Sequence, residues 1–228
     1  MHSGAAQNPM THAEDGAELF RSAALRALPE MEEAFAGLAP DQAGIRLQGM
    51  SSLRLILSPS GEVGSIASAV LGPKSRAVRA ILFDKTAATN WSLAWHQDRT
   101  ICVKRRMQVD GFGPWTIKDG MQHVAPPFEL LRRMATLRVH LDDVPPSNAP
   151  LLVAPGSHRL GKIVSDKIEE AVRNCGTRMC LAEAGDVWLY ATPILHASEA
   201  AKQPQHRRVL QIDFAAFDLP GGLEWLGV

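Results

Sequence analysis

Gly and Pro punctuation leaves most of this chain room for nothing longer than a short strand. Residues 77–83, 93–96, 99–106, 134–141, 151–154, 187–191 and 209–217 are apolar, β-branched or aromatic runs. Turn formers bound them, among them Gly72-Pro73, Asp142-Asp143, Pro145-Pro146, Pro155-Gly156 and Gly185-Asp186. Helical patterning is concentrated before them. Over 13–28, Leu19, Phe20, Ala23, Ala24 and Ala27 share one helical face. Pro29 interrupts that pattern, and further helical stretches follow at 30–38 and 66–71, with later ones at 128–134 and 168–173. The breakers Gly111, Gly113, Pro114, Gly120, Pro126 and Pro127 mark 109–127 as a long ordered loop. Helices first and many short strands afterwards predict a mainly β protein with supporting helices, a sandwich or jelly roll.

The 228 residues carry no internal repeat or linker, so one domain over 1–228 is the simplest organisation. Lys plus Arg and Asp plus Glu are both 24, and this balance gives no footing for nucleic acid. No run approaches the roughly 18 apolar residues of a membrane span. Residues 1–8 lack the layout of a secretory leader. Cys102, Cys175 and Cys180 have neither metal-knuckle spacing nor the even number of a disulfide framework. A cytoplasmic protein is expected.

The sharpest local feature is Trp95-His96-Gln97-Asp98. On an extended backbone, residues two apart face the same way, so His96 and Asp98 aim an imidazole and a carboxylate at one point. Alone, such a tripeptide is weak evidence for a metal, and a hydrogen-bonded surface pair is the simpler reading. The C-terminal third adds a strand entered from Gly185-Asp186, then Pro193-Ile194-Leu195-His196-Ala197-Ser198, then His206-Arg207-Arg208, with Arg207 eleven residues beyond His196. Two His and one carboxylate form the facial set of non-haem Fe(II) oxygenases, which leaves coordination positions open. An arginine fork suits a carboxylate at the far end of such a pocket, and a neighbouring hydroxyl, Ser198, can complete the clamp. Arg207 and Arg208 face opposite ways on a strand, so only one of them can enter the pocket.

These residues resemble the phytanoyl-CoA dioxygenase family of Fe(II)/2-oxoglutarate oxygenases. The family pattern is a His-x-Asp, a third His about a hundred residues on, and an arginine eleven further. The run Leu141-Asp142-Asp143, Asn148-Ala149-Pro150-Leu151 and Pro155-Gly156-Ser157-His158-Arg159 is similar to another family block. Ala149 replaces the usual glycine there, a departure that affects a turn and no ligand position. The resemblance is strongest over 78–217. It implies a double-stranded β-helix (jelly-roll, cupin-like) core with N-terminal helices. His96, Asp98 and His196 would be the metal ligands, with Arg207 and Ser198 on the 2-oxoglutarate. The implied cofactors are Fe(II), 2-oxoglutarate as co-substrate and O₂, and the implied reaction is hydroxylation of a small organic molecule with release of succinate and CO₂. Asp98 stands where halogenating relatives carry a small residue, which favours hydroxylation.

Two other classes use the same residues: a non-catalytic or metal-sensing jelly-roll protein, and a metal-dependent hydrolase. Both leave Arg207 at its spacing without a purpose. For the remaining histidines structural roles are expected, at His2 and His12 near the N-terminus, at His158 in its turn and at His206 on a strand edge; His140 belongs to the core or pocket wall. Trp95 and Trp188 read as core or wall. In the 109–127 loop, Trp115, Lys118 and His123 are expected to help form the substrate pocket by covering the open side of the metal. No basic run suited to a coenzyme A tail is visible, and a small polar metabolite fits better.

Overall fold

The computed structural model describes residues 9–38 and 42–228, so His2 lies outside them. The first half contains α1 (His12–Asp15), β1 (Ala17–Phe20), α2 (Leu28–Phe35), β2 (Gly44–Leu47), α3 (Gly64–Leu71) and β3 (Arg76–Lys85). Then come β4 (Leu93–His96), β5 (Ile101–Val103), β6 (Trp115–Lys118), β7 (Met121–Val124), α4 (Phe128–Leu131) and β8 (Ala135–His140). The chain continues with β9 (Leu151–Val153), α5 (Ile168–Cys175), β10 (Arg178–Cys180), β11 (Val187–Ala191), β12 (His196–Ser198) and β13 (Arg207–Ala215).

Ten strands form the two sheets of a double-stranded β-helix. The larger has the order β1-β11-β8-β13-β3-β2 and the smaller β10-β9-β12-β4, while β5-β7-β6 form a third, separate sheet. Period-two alternation divides the larger sheet into two chemically distinct faces. Leu82, Leu137, Val139, Leu189, Leu210 and Ile212 point to one side and pack with Met31 and Phe35 of α2 and Ile66 of α3. The opposite side presents Arg46, Arg79, Lys85, Arg138, Arg207 and Gln211 to the smaller sheet. Both faces are covered, which is why β8 and β11 are buried along their whole length.

The N-terminal segment departs from its helical patterning. Gly16 closes α1 in the left-handed region at φ +76°. The next four residues pair antiparallel with β11, from Ala17 opposite Tyr190 to Phe20 opposite Val187. Leu19 and Phe20, adjacent in sequence, then serve opposite faces of an edge strand, and tertiary pairing overrides the local helix pattern. Pro29 sits in the first turn of α2 and opens that helix, where its missing N–H does no harm.

The 109–127 segment is not a loop throughout. Asp119 and Gly120 both have positive φ, 50° and 74°, which makes a tight turn between β6 and β7. The hairpin extends onto β5 through Cys102 opposite His123. Strands β2, β10 and β12 are likewise additions to the sequence-based expectation. All three cysteines are free, with Cys102 and Cys180 buried. Among the described residues no helix is long and apolar enough to cross a membrane.

Asp186 ties the end of edge strand β1 to the start of its neighbour β11. Its buried carboxylate accepts the Ser22 N–H at 2.8 Å, the Glu183 N–H at 3.0 Å and Arg21 Nη1 at 2.8 Å. Asp186→Ala strands buried donors and should destabilise the protein by about 2–4 kcal/mol in urea unfolding. Arg21→Ala removes a mostly exposed partner and should cost less than about 1 kcal/mol.

Candidate active site

Antiparallel pairing sets His196 of β12 directly opposite His96 of β4. The two rings stand 4.3 Å apart, centroid to centroid. Asp98 follows His96 by two residues, and one ligand atom from each of the three side chains falls within 4.8 Å of the others. Each imidazole is oriented through Nδ1, which donates to the Ala94 carbonyl at 2.8 Å for His96 and to the Ile194 carbonyl at 3.0 Å for His196. This leaves the Nε2 lone pairs for a metal. Burial pushes His196 down to about 4 despite the nearby Asp98 charge, so its ring is neutral at ordinary pH. Burial works to raise Asp98, but Arg79, His196, His96 and Arg138 outweigh it and hold the carboxyl below the usual range. One oxygen of Asp98 is buried with no hydrogen-bond partner among the described residues, and Arg79 Nη2 is 3.6 Å away from it. Two imidazoles whose Nε2 atoms face the same point as a carboxylate with an unused oxygen fit a divalent metal.

Two residues outside the ligand set pin this geometry. Gln97 donates through Nε2 to the carbonyls of Pro193 at 2.9 Å and Gly161 at 3.0 Å and accepts the Ile163 N–H, fixing the link between His96 and Asp98. Ser157, in the Pro-Gly-Ser-His turn, accepts the Leu195 N–H at 2.9 Å and anchors the residue before His196.

The three side chains open onto a cavity of about 160 Å³ whose lining holds six basic side chains and, among the described residues, one acidic one, Asp98. Arg207 lies opposite Lys85 in the β13–β3 register. Arg207 Nη1 donates to the carbonyls of Asn148 and Ala149, and Lys85 Nζ donates to Ser198 Oγ at 3.2 Å. Burial, with Arg138 adding its charge, pushes Arg207 down to about 9; burial, Arg207 and Arg138 push Lys85 down to about 8. Arg138 donates to Gln211 Oε1 at 2.8 Å. Among the described residues none of Lys85, Arg138 and Arg207 has a carboxylate partner, which suits an anionic occupant. Arg208 points the other way, to Asp142 at 2.7 Å and Glu32 at 3.1 Å.

The profile of the phytanoyl-CoA dioxygenase (PhyH) family matches residues 54–209, more than half of the chain. The chain belongs to this family. Its members are Fe(II)/2-oxoglutarate-dependent dioxygenases, and the His96, Asp98 and His196 set is the candidate facial triad. No curated protein sequence gives a significant match. Among solved structures, EctD from S. alaskensis with 2-oxoglutarate and 5-hydroxyectoine is similar at TM-score 0.65 and 19% identity, over 100% of this chain and 83% of that one. The epimerase SnoN, in complex with Fe³⁺, alpha ketoglutarate and nogalamycin RO, is similar at TM-score 0.62 and 15% identity over 92% and 88%. HygX from Streptomyces hygroscopicus with nickel, 2-oxoglutarate and hygromycin B reaches TM-score 0.60 and 14% identity over 90% and 84%. At these identities the likeness is one of fold.

Within this PhyH-family fold, the three hairpin residues separate. Lys118 lines the cavity. Trp115 and His123 stand outside its lining: Trp115 lies under the Arg106 guanidinium, 5.6 Å away, and His123 Nε2 meets Cys102 Sγ at 2.9 Å. Strand alternation turns Trp115 to the face opposite Lys118, whereas His123, paired with Thr116, shares the face of Lys118 and is buried against Cys102 instead of reaching the cavity. Sequence reasoning passed over Arg46, Arg79, Lys85 and Arg138. The available signal was a basic residue at alternate positions of otherwise apolar strands, as at 79 and 85. Ala149, the departure from the family's glycine, has φ +51°, and its carbonyl is held by Arg207, so the turn it strains does touch the candidate co-substrate residue.

His140 is buried, and neither ring nitrogen has a hydrogen-bond partner among the described residues. Burial, with Arg138 and Arg207 adding to it, drives its pKa well below 6.5. The unfolded chain therefore binds a proton that the native state refuses, and stability present above pH 6.5 is lost as pH falls below it. His12, His123, His158 and His196 shift the same way. Replacing His140 by Phe should flatten part of the acid-side decline in urea midpoint; an unchanged slope would contradict this assignment.

Proposed function

We propose that this chain is an Fe(II)- and 2-oxoglutarate-dependent dioxygenase that hydroxylates a small organic molecule, with release of succinate and CO₂. The supporting observation is one cavity that holds both a two-histidine, one-carboxylate set and three cations without carboxylate partners among the described residues. When bound, iron and 2-oxoglutarate supply activation of O₂ and the electrons that reduce its second oxygen atom. His96, Asp98 and His196 would hold the metal, and a three-ligand set leaves positions for co-substrate and O₂.

The remaining roles belong to side chains of this protein. Arg207 and Ser198 would receive the far carboxylate of the co-substrate, with Lys85 beside them. Arg207 has donors to spare, since its Nε has no partner among the described residues. Ser198 accepts from Lys85 and can turn its own proton toward an incoming oxygen. Ile81, Phe83, Leu93 and Leu151 give the same cavity apolar walls that limit water. Arg79, pinned to Asp213 at 2.6 Å, keeps Asp98 ionised.

Anaerobic addition of Fe(II) and 2-oxoglutarate should produce a metal-to-ligand charge-transfer band. His96→Ala should abolish it, and Arg207→Ala should weaken 2-oxoglutarate binding by about tenfold or more. No band in wild type with iron demonstrably bound would overturn the proposal and favour a binding protein or hydrolase. Lys85 loses its charge above about 8 in the free protein, and a bound dianion raises its pKa. Co-substrate affinity should therefore fall as pH rises through that value, and Lys85→Met should flatten the fall.

A further inference from the structure

The charge in the cavity exceeds what the co-substrate reading uses, and the excess is placed at a different end. Arg207 lies opposite Lys85, whereas Arg46 of edge strand β2 lies opposite Ile81, four residues or roughly 13 Å further along β3. Arg46 Nε is buried without a hydrogen-bond partner among the described residues, and its Nη1 reaches Asp119 Oδ2 at 2.5 Å, across to the β6–β7 turn. Lys118, the residue before that turn, lines the cavity, is exposed, and has no partner among the described residues. The two cation pairs thus address opposite ends of the cavity, one deep beside Ser198 and one at the rim.

Charge balance leads to the same place. A divalent metal and a dianionic co-substrate cancel. Asp98 and Asp213 offset Arg79 and one further cation, and Asp119 is taken up by Arg46. Positive charge remains, although the chain as a whole is neutral. A positive cavity with low-dielectric walls concentrates anions and disfavours cations.

Resting on the proposed co-substrate site, we infer that the substrate is a small anion, a carboxylate or phosphate monoester, whose charged group is received at the rim by Lys118 and Arg46. Its uncharged part then extends inward along Ile81 and Phe83 toward the metal ligands. Asp119 competes with it for Arg46, and this pair also couples the hairpin to β2.

The test uses three four-carbon probes, butyrate, butyl phosphate and 1-butanol, added to the anaerobic protein loaded with Fe(II) and 2-oxoglutarate and followed by ligand-observed NMR. Either anion should bind better than the alcohol and weaken with added salt. The tighter of the two anions identifies the charged group as carboxylate or phosphate. Lys118→Ala should weaken the anion by about threefold or more, and the Lys118→Ala, Arg46→Gln double variant by about tenfold or more, with the charge-transfer band intact. Asp119→Asn should tighten it, a gain that damage to the hairpin would not produce. Equal binding of butanol, or anion binding unmoved in Lys118→Ala and the double variant, overturns this inference while leaving the co-substrate reading in place. Absence of the charge-transfer band in wild type overturns both.

Discussion

Charge buried between two sheets is the constraint around which the rest of the structure is arranged. Arg79, Lys85, Arg138, Arg207 and Asp213 are all less than 10% exposed. Removing such groups from water carries a penalty of several kcal/mol per ion unless partners compensate. Arg79 and Asp213 compensate each other; Lys85 and Arg207 do not, and their lowered pKa values express how strongly the folded chain resists those charges. The opposing stabilisation comes from the other side of the same strands, where Leu137, Val139, Leu189, Leu210 and Ile212 are completely buried against helices. A site that is costly when empty and relieved by an anion is the pattern expected where function and stability conflict.

The metal-binding geometry depends on backbone as much as on side chains. His96 and His196 meet because two antiparallel strands place them in one register pair, and a slip of one residue would turn one of them away. Gln97 and Ser157 guard against that slip by holding loop backbone on either side. The Pro155-Gly156-Ser157 block is therefore structural support for a ligand rather than chemistry of its own.

What could be read in the sequence was whatever obeys strand alternation within a short window. The shared direction of His96 and Asp98 and the opposed directions of Arg207 and Arg208 follow from the two-residue period. Features that depend on distant pairing stayed hidden. Strand β1 mimics a helix until β11 is beside it, and Asp119-Gly120 reads as one breaker among many until the flanking strands are seen to pair. The basic lining was hidden for a related reason. Its members lie at positions 46, 79, 85, 118, 138 and 207, one or two per strand, so no window of sequence shows a cluster.

The division of the larger sheet into an apolar and a polar face also bears on how such a protein changes over generations. Positions 46, 81 and 83 turn inward, and 118 enters from the hairpin, while the side chains that stabilise the sheet occupy the alternate residues. Drift at the inward positions can alter what is admitted without loosening the helix-backed core, and drift in the core can proceed without redrawing the cavity. Folding and selectivity are thus inherited on separate sets of residues, interleaved along the same strands.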